Sequence, residues 1–196
     1  MEINCLKQFF VSLKRCTHSR GFGVQSPNDY RYICDVINER LPYYAYELLR
    51  NRYPKLSSIN RKISELYFRV VNALQPQTII DYHPISEVFR TYMQAGCNKA
   101  NIIVLNTLSE LSEENCIEFL RISINDVSDS IIRTLFSKVF DSTIIVIEDI
   151  HCDKCTLRQW KKILTNKKVT ISFDLYYCGI IFFDNQRYKQ NYIVNF

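Results

Sequence analysis

The sequence predicts an α/β fold: a mostly parallel sheet with antiparallel C-terminal strands, preceded by a helical extension. Three observations predict it. Up to residue 75 the apolar residues recur at helical spacing. From residue 76 the period changes, and apolar runs of strand length occupy 78–82, 101–105, 118–123 and 143–148, with helical stretches between several of them. That alternation is the pattern of βαβ units. In the tail, residues 168–175, 179–184 and 192–196 are separated by short turns and are expected to run antiparallel to one another. The expected organisation is a helical segment over 1–75, packed on a sheet domain over 76–196.

The elements follow in order. Ile3, Leu6, Phe10 and Leu13 form one helical stripe, with Lys7, Lys14 and Arg15 elsewhere on the helix. Gly21-Phe22-Gly23 ends it. Ser26-Pro27 then supplies an N-cap followed by proline at the first helical position. Tyr30, Ile33, Cys34 and Ile37 are the expected buried face of the second helix, and a short third helix starts in Tyr43-Tyr44-Ala45-Tyr46. Ile59, Ile63, Leu66, Tyr67, Val70 and Leu74 mark the clearest amphipathic helix, with Glu65 and Arg69 as an i,i+4 pair on its other side.

Composition narrows the function classes. The chain holds only 4 glycines in 196 residues, and none lies between Gly23 and Gly96. Scarcity of glycine disfavours sites cradled by close backbone approach. The net charge of +5 is uneven, with a balance of +6 over residues 1–75 and −1 over the rest. The basic excess is read as a solvated helical surface rather than a nucleic-acid or membrane patch. Tyrosines and arginines interleave over 30–67, but their helical spacing favours packing over base stacking. No apolar run reaches the roughly 20 residues that span a bilayer, and the start of the chain has no secretory h-region. The 8 cysteines sit mostly within apolar periodic segments, as reduced, buried thiols of a cytoplasmic protein would.

Three stretches carry a resemblance to the class I S-adenosylmethionine-dependent methyltransferases, and within them to a bacterial O-methyltransferase branch. The first is Ser19-Arg20-Gly21-Phe22-Gly23-Val24-Gln25-Ser26-Pro27. The second is Ile144-Ile145-Val146-Ile147-Glu148-Asp149-Ile150-His151, similar to that branch's strand ending in paired acids. The third runs from Trp160 through Ser172-Phe173-Asp174-Leu175-Tyr176-Tyr177-Cys178-Gly179-Ile180-Ile181-Phe182-Phe183 to Lys189-Gln190. The resemblance covers the ends of the chain better than its middle. It implies a Rossmann-like three-layer methyltransferase fold, with S-adenosylmethionine as cofactor.

The departures fall where that cofactor would sit. The resemblance implies a first strand ending in an acid and running into a glycine loop around the cofactor's methionine part. Thr78-Ile79-Ile80-Asp81-Tyr82 supplies the strand and the acid, but His83 and Glu87 stand about where glycines are expected, and Pro84 removes a backbone donor. The second strand should end in an acid that accepts the ribose hydroxyls; here Ile102-Ile103-Val104-Leu105 ends at Asn106. The family's next helix–strand unit is missing. Asp81, Tyr82, His83 and Asn106 are therefore the degenerate cofactor positions.

Other candidates have competing readings. Glu148-Asp149 lies where α/β sheets place ligands and could bind a divalent cation through oxygen, but a helix cap or an ancestral relic is the preferred reading. No metal site is assigned. Cys152-Asp153-Lys154-Cys155 has the spacing of a redox or zinc pair, with His151 as a third ligand; with 8 cysteines the spacing arises readily by chance. His83 beside Asp81 has the makings of an acid–base pair, and its structural reading is preferred. His18 lies in a basic patch and is read as solvated. The function expected is a methyltransferase-like protein with an eroded cofactor site, acting by binding a small molecule or a protein, with homo-oligomerisation open. The first alternative is an active small-molecule O-methyltransferase. The second is a thiol-redox or metal-binding protein built on Cys152 and Cys155.

Overall fold

The computed structural model describes residues 5–107 and 117–196. Ile3, Cys116 and the side chain of Leu6 lie outside what is described. Two compact units form. One takes the chain to Gln75, together with Ser86–Lys99 and Val194–Phe196; the other holds Pro76–Ile85 and Ala100–Ile193.

The first unit is helical. It contains α1 (Cys5–Lys14), a 3-10 turn (Cys16–Gly21), α2 (Pro27–Tyr32), α3 (Tyr44–Arg52), α4 (Ser58–Leu74) and α5 (Glu87–Gly96). The starts of α2, α4 and α5 are set by serine caps: Ser26, Ser57 and Ser86 accept the backbone N–H of Asp29, Asn60 and Val88. Gln75 closes α4 in the left-handed conformation, φ 50°, the role glycine usually takes. Buried Ile59, Ile63, Leu66, Tyr67 and Val70 confirm the face read from spacing. Tyr46, Leu49, Phe68 and Tyr92 make a second cluster where α3, α4 and α5 meet. Gly96 lies so close to the Phe68 carbonyl that a Cβ there would overlap it.

Three expectations for this unit are corrected. Phe10 and Leu13, expected on a buried stripe, are each 56% exposed. Spacing decides which side chains share a helix face; it supplies no surface to cover them. Tyr30, expected in the buried face of α2, is 48% exposed. Its ring lies over Gly21, where a Cβ would come within 2.9 Å of it. Ile33 and Ile37 are fully buried as expected, but in a π-helical turn (Ile33–Ile37) that follows α2. The third correction is Arg69. It does not pair with Glu65 but is buried, and donates to the carbonyls of Val36 (2.6 Å) and Ile37 (2.9 Å). Those are carbonyls a helix end leaves without partners. Glu65 instead pairs with Arg50 on α3 at 2.7 Å.

The second unit is a seven-stranded mixed sheet: β1 (Thr78–Tyr82), β2 (Asn101–Leu105), β3 (Ile117–Ser123), β4 (Val139–Glu148), β5 (Ile171–Asp174), β6 (Cys178–Phe182) and β7 (Gln190–Ile193). Their order is β2-β1-β3-β4-β6-β5-β7. The first four are parallel, and β6 runs antiparallel to both β4 and β5. One tail expectation is corrected: β7 is parallel to β5. With β4 on one side of β6 and β5 on the other, the last strand joins at the free edge of β5. Returning from β6, it is antiparallel to β6 and hence parallel to β5. Helices α6 (Asp129–Ser137) and α7 (Lys154–Thr165) contribute Leu135, Phe136, Trp160 and Ile163 to a core with Ile80, Leu120, Ile145 and Ile181. Trp160 packs directly on Gly179, leaving no room for a Cβ.

Candidate functional site

Strands β2 and β3 flank β1, so the strand order reverses there: β1 leads to β2 on one side, while β3 and then β4 are added on the other. Such a switch point opens a crevice at the carboxyl ends of parallel strands, the usual ligand position in open α/β sheets. Asp81, Tyr82, His83, Asn106, Glu148 and Asp149 all fall at this edge, since each lies in the last two residues of β1 or β4 or directly follows β1, β2 or β4.

At the centre stands a residue that spacing did not single out, Arg121. It lies on β3 directly opposite Asp81 of β1, and Ser123, two residues on, stands opposite Glu148 of β4. Its guanidinium reaches Asp81 Oδ1 at 3.4 Å and makes a short charge-assisted bond to Glu148. It also donates to the carbonyls of Tyr82 (3.2 Å) and His83 (3.4 Å). Arg121 and Asp81 are each 1% exposed and Glu148 7%. A planar five-donor guanidinium is the side chain suited to bridging two carboxylates in one plane.

His83 closes the end of β1. Its φ of 46° is the left-handed conformation glycine adopts at no steric cost, so the backbone makes the tight turn while carrying an imidazole. The His83 N–H donates to the Leu105 carbonyl at 2.9 Å. The ring makes a short contact with the Asn106 carbonyl through Nε2, stacks on Tyr82 at 4.7 Å, and points Nδ1 at Asp126 from 3.4 Å. Thus His83 meets Asn106 through the backbone carbonyl of β2's end, while its partner carboxylate is Asp126 rather than its sequence neighbour Asp81.

A second cluster follows β4. His151 Nε2 lies 2.7 Å from Asp174 Oδ2, and its ring stacks on Tyr176 at 4.8 Å. Asp174 Oδ1 accepts the Tyr176 N–H at 2.9 Å. Asp149 and Tyr176 have φ of 63° and 74°. Among the described residues, four non-glycine positions have positive φ; His83, Asp149 and Tyr176 are at this edge, and Gln75 is a helix cap. Such positions cost about 1–3 kcal/mol each and gather at functional sites. Glu148 and Asp149 do not cap α7: Asp153 does, in a capping box with Thr156. Cys152 is half-buried and Cys155 is exposed at the start of α7. Burial and the nearby Glu148 push the Cys178 thiol well up, keeping it from acting as a nucleophile. Among the described residues, no group of three His, Cys, Asp or Glu side chains is placed to hold a metal ion, and no helix is long and apolar enough to cross a membrane.

A signal for Arg121 was available: it is the one cation in the strand Ile117–Ser123. No spacing rule ties His151 to Asp174, which meet only because β4 and β5 end at the same edge.

No protein-family model and no curated protein matches the chain. Solved structures do. Along 97% of its length the chain is similar to the Podospora anserina methyltransferase PaMTH1, solved with SAH bound. The match has a TM-score of 0.54 at 12% identity and covers 98% of that protein. It is also similar to a Staphylococcus aureus protein designated a caffeoyl-CoA O-methyltransferase (TM-score 0.53, 9% identity, 71% of this chain and 91% of that one). A parallel sheet with its switch point at β1, an inserted antiparallel β6 and this likeness over nearly the whole chain establish the fold of the class I S-adenosylmethionine-dependent methyltransferases.

Proposed function

We propose that the protein keeps the methyltransferase fold with a closed, shortened cofactor site, and acts by binding rather than by methyl transfer. One observation carries this reading: the buried Arg121 guanidinium bridging Asp81 and Glu148. An acid at the end of β1 is useful to a cofactor only if its oxygens face the crevice. Here Asp81 and Glu148 both meet an internal cation. His83 closes the adjoining turn onto Asn106. The residues present therefore do not fit the methionine and ribose parts of S-adenosylmethionine. Missing glycine, an imidazole in the turn and an amide at the end of β2 point the same way. The 11-residue link from Leu105 to Ile117 is also too short for a further helix–strand unit.

Calorimetric titration of the full chain with S-adenosylmethionine tests this. The expected dissociation constant is weaker than about 1 mM, or about −4 kcal/mol. Micromolar binding would overturn the proposal.

A second reading, an active S-adenosylmethionine-dependent O-methyltransferase, draws support from the His151–Asp174 pair. An imidazole held by a carboxylate at the carboxyl edge can take a proton from an acceptor hydroxyl. Micromolar cofactor binding, together with a loss of methyl transfer in His151→Gln, would establish this reading in place of the first.

A further inference from the structure

The helical unit carries two adjoining cavities that the sheet edge does not explain. The larger has a volume of about 740 Å³, within the range of small-molecule sites, and its walls include Tyr43, Tyr44 and Tyr46. The smaller, about 230 Å³, is lined by Ser12, Ser19, Asn38, Arg40, Lys62 and Asn195, with Phe196. Asn38, Arg40, Lys62 and Phe196 belong to both.

The charge is uneven between them. Among the described residues, the smaller cavity has two cations, two serine hydroxyls and two amides, and no acidic side chain. Glu39, Glu47 and Glu65 lie only in the wall of the larger one. Of these, Glu65 is spent on Arg50, and Glu39 accepts the Tyr43 hydroxyl at 2.7 Å. Arg69, also in the larger wall, donates to two carbonyls and to the Tyr46 hydroxyl, with no carboxylate partner among the described residues. Lys62 Nζ sits 4.6 Å over the Phe196 ring and has no ion pair among the described residues. The same is true of Arg40. The Asn38 amide nitrogen is buried without a hydrogen-bond partner. Arg40 and Lys62, both exposed at the surface, line both cavities and Arg69 lines the larger, which gathers the three cations around one space. Desolvation, then Arg69 and Arg40, push the Lys62 ammonium down.

Arg40 and Lys62, with no ion pair among the described residues, repel each other, and a buried amide N–H₂ without an acceptor carries a desolvation penalty. An anion relieves both. We propose that the two cavities form one binding site for a phosphorylated small molecule with an aromatic body, of the size of a nucleoside monophosphate. Its phosphate takes the smaller cavity, on Arg40, Lys62 and Asn38. Its ring system takes the larger cavity, against the tyrosines. Arg40 and Lys62 recognise the charge, and tyrosine faces accept a planar ring without selecting its edge. The proposal concerns the helical unit and does not depend on whether the sheet edge binds a cofactor.

Calorimetry on the full chain with adenosine 5′-monophosphate, adenosine and inorganic phosphate tests it. The monophosphate should bind at least about tenfold more tightly than either fragment, a difference of about 1.4 kcal/mol. Arg40→Gln, a change in an exposed loop, should weaken it about tenfold or more while leaving the thermal melt unchanged. Lys62→Gln should do the same to affinity, and neither change should alter adenosine binding. Absence of binding at millimolar monophosphate, a smaller preference over adenosine, or unchanged affinity in Arg40→Gln would overturn the site. Displacement of the monophosphate by S-adenosylhomocysteine would also overturn it, by moving the binding to the sheet edge.

Discussion

Arg121 shows how one buried charge both organises and blocks this sheet edge. Two carboxylates and a guanidinium, all nearly out of water, hold each other only while every member is present. Removing the cation leaves Asp81 and Glu148 buried without it, and breaking such a pair costs about 3–5 kcal/mol. Arg121→Met should therefore lower the unfolding free energy by about that amount in urea titration, and unchanged stability would show the bridge to be unimportant. His83 is the opposite case. Its left-handed φ penalises any side chain, while the contacts to Tyr82 and Asn106 compensate. His83→Gly relieves the first and loses the second, so stability should change by no more than about 1 kcal/mol. A loss of several kcal/mol in the same titration would make the imidazole contacts dominant. The candidate site was partly legible at this scale. Asp81, His83, Asn106 and Glu148 stand out because each ends or follows a strand run. Their partners Arg121 and Asp126 arrive from other parts of the chain, as Asp174 does for His151, and sequence offsets carry no record of that.

At the scale of the element, what sequence makes legible is local. Serine before an amphipathic run marked the caps at Ser26, and the strand runs at 78–82 and 101–105 match β1 and β2 to the residue. What it hides is the choice of neighbour. The direction of β7 depends on which edge of the tail sheet is free, and the exposure of Phe10 and Leu13 depends on what lies near α1. The packing of α7 gives a sharp test. Trp160 is 1% exposed and rests on Gly179 of β6, so a methyl group at residue 179 has to push the indole away. Overpacking of this kind costs about 1–3 kcal/mol. Gly179→Ala should lower the midpoint of thermal unfolding accordingly, and Trp160 fluorescence should report a shifted indole. An unchanged midpoint and spectrum would mean that β6 and α7 separate easily.

For the whole molecule, the division into units does not follow the order of the chain. Residues Ser86–Lys99, between β1 and β2, belong with the N-terminal helices, as do Val194–Phe196. Periodicity detects the change at residue 76 but not that α5 sides with what precedes it, because a return of the chain leaves no mark on spacing. The consequence can be tested by truncation. Helix α5 buries Tyr92 and Met93 completely, its Gly96 touches the backbone of α4 at Phe68, and Thr91 bonds Tyr53 at 3.0 Å. Removing residues 1–75 takes away α4 and Tyr53 and leaves those α5 surfaces without their partners. Burying one such side chain is worth roughly 1.5–3 kcal/mol, against a total stability of about 5–15 kcal/mol for a domain. The fragment 76–196 is therefore expected to aggregate or to melt without cooperativity in calorimetry. Full-length protein should show a cooperative transition. A soluble fragment with a single sharp transition would show that the sheet unit folds alone and that α5 needs no helical partner.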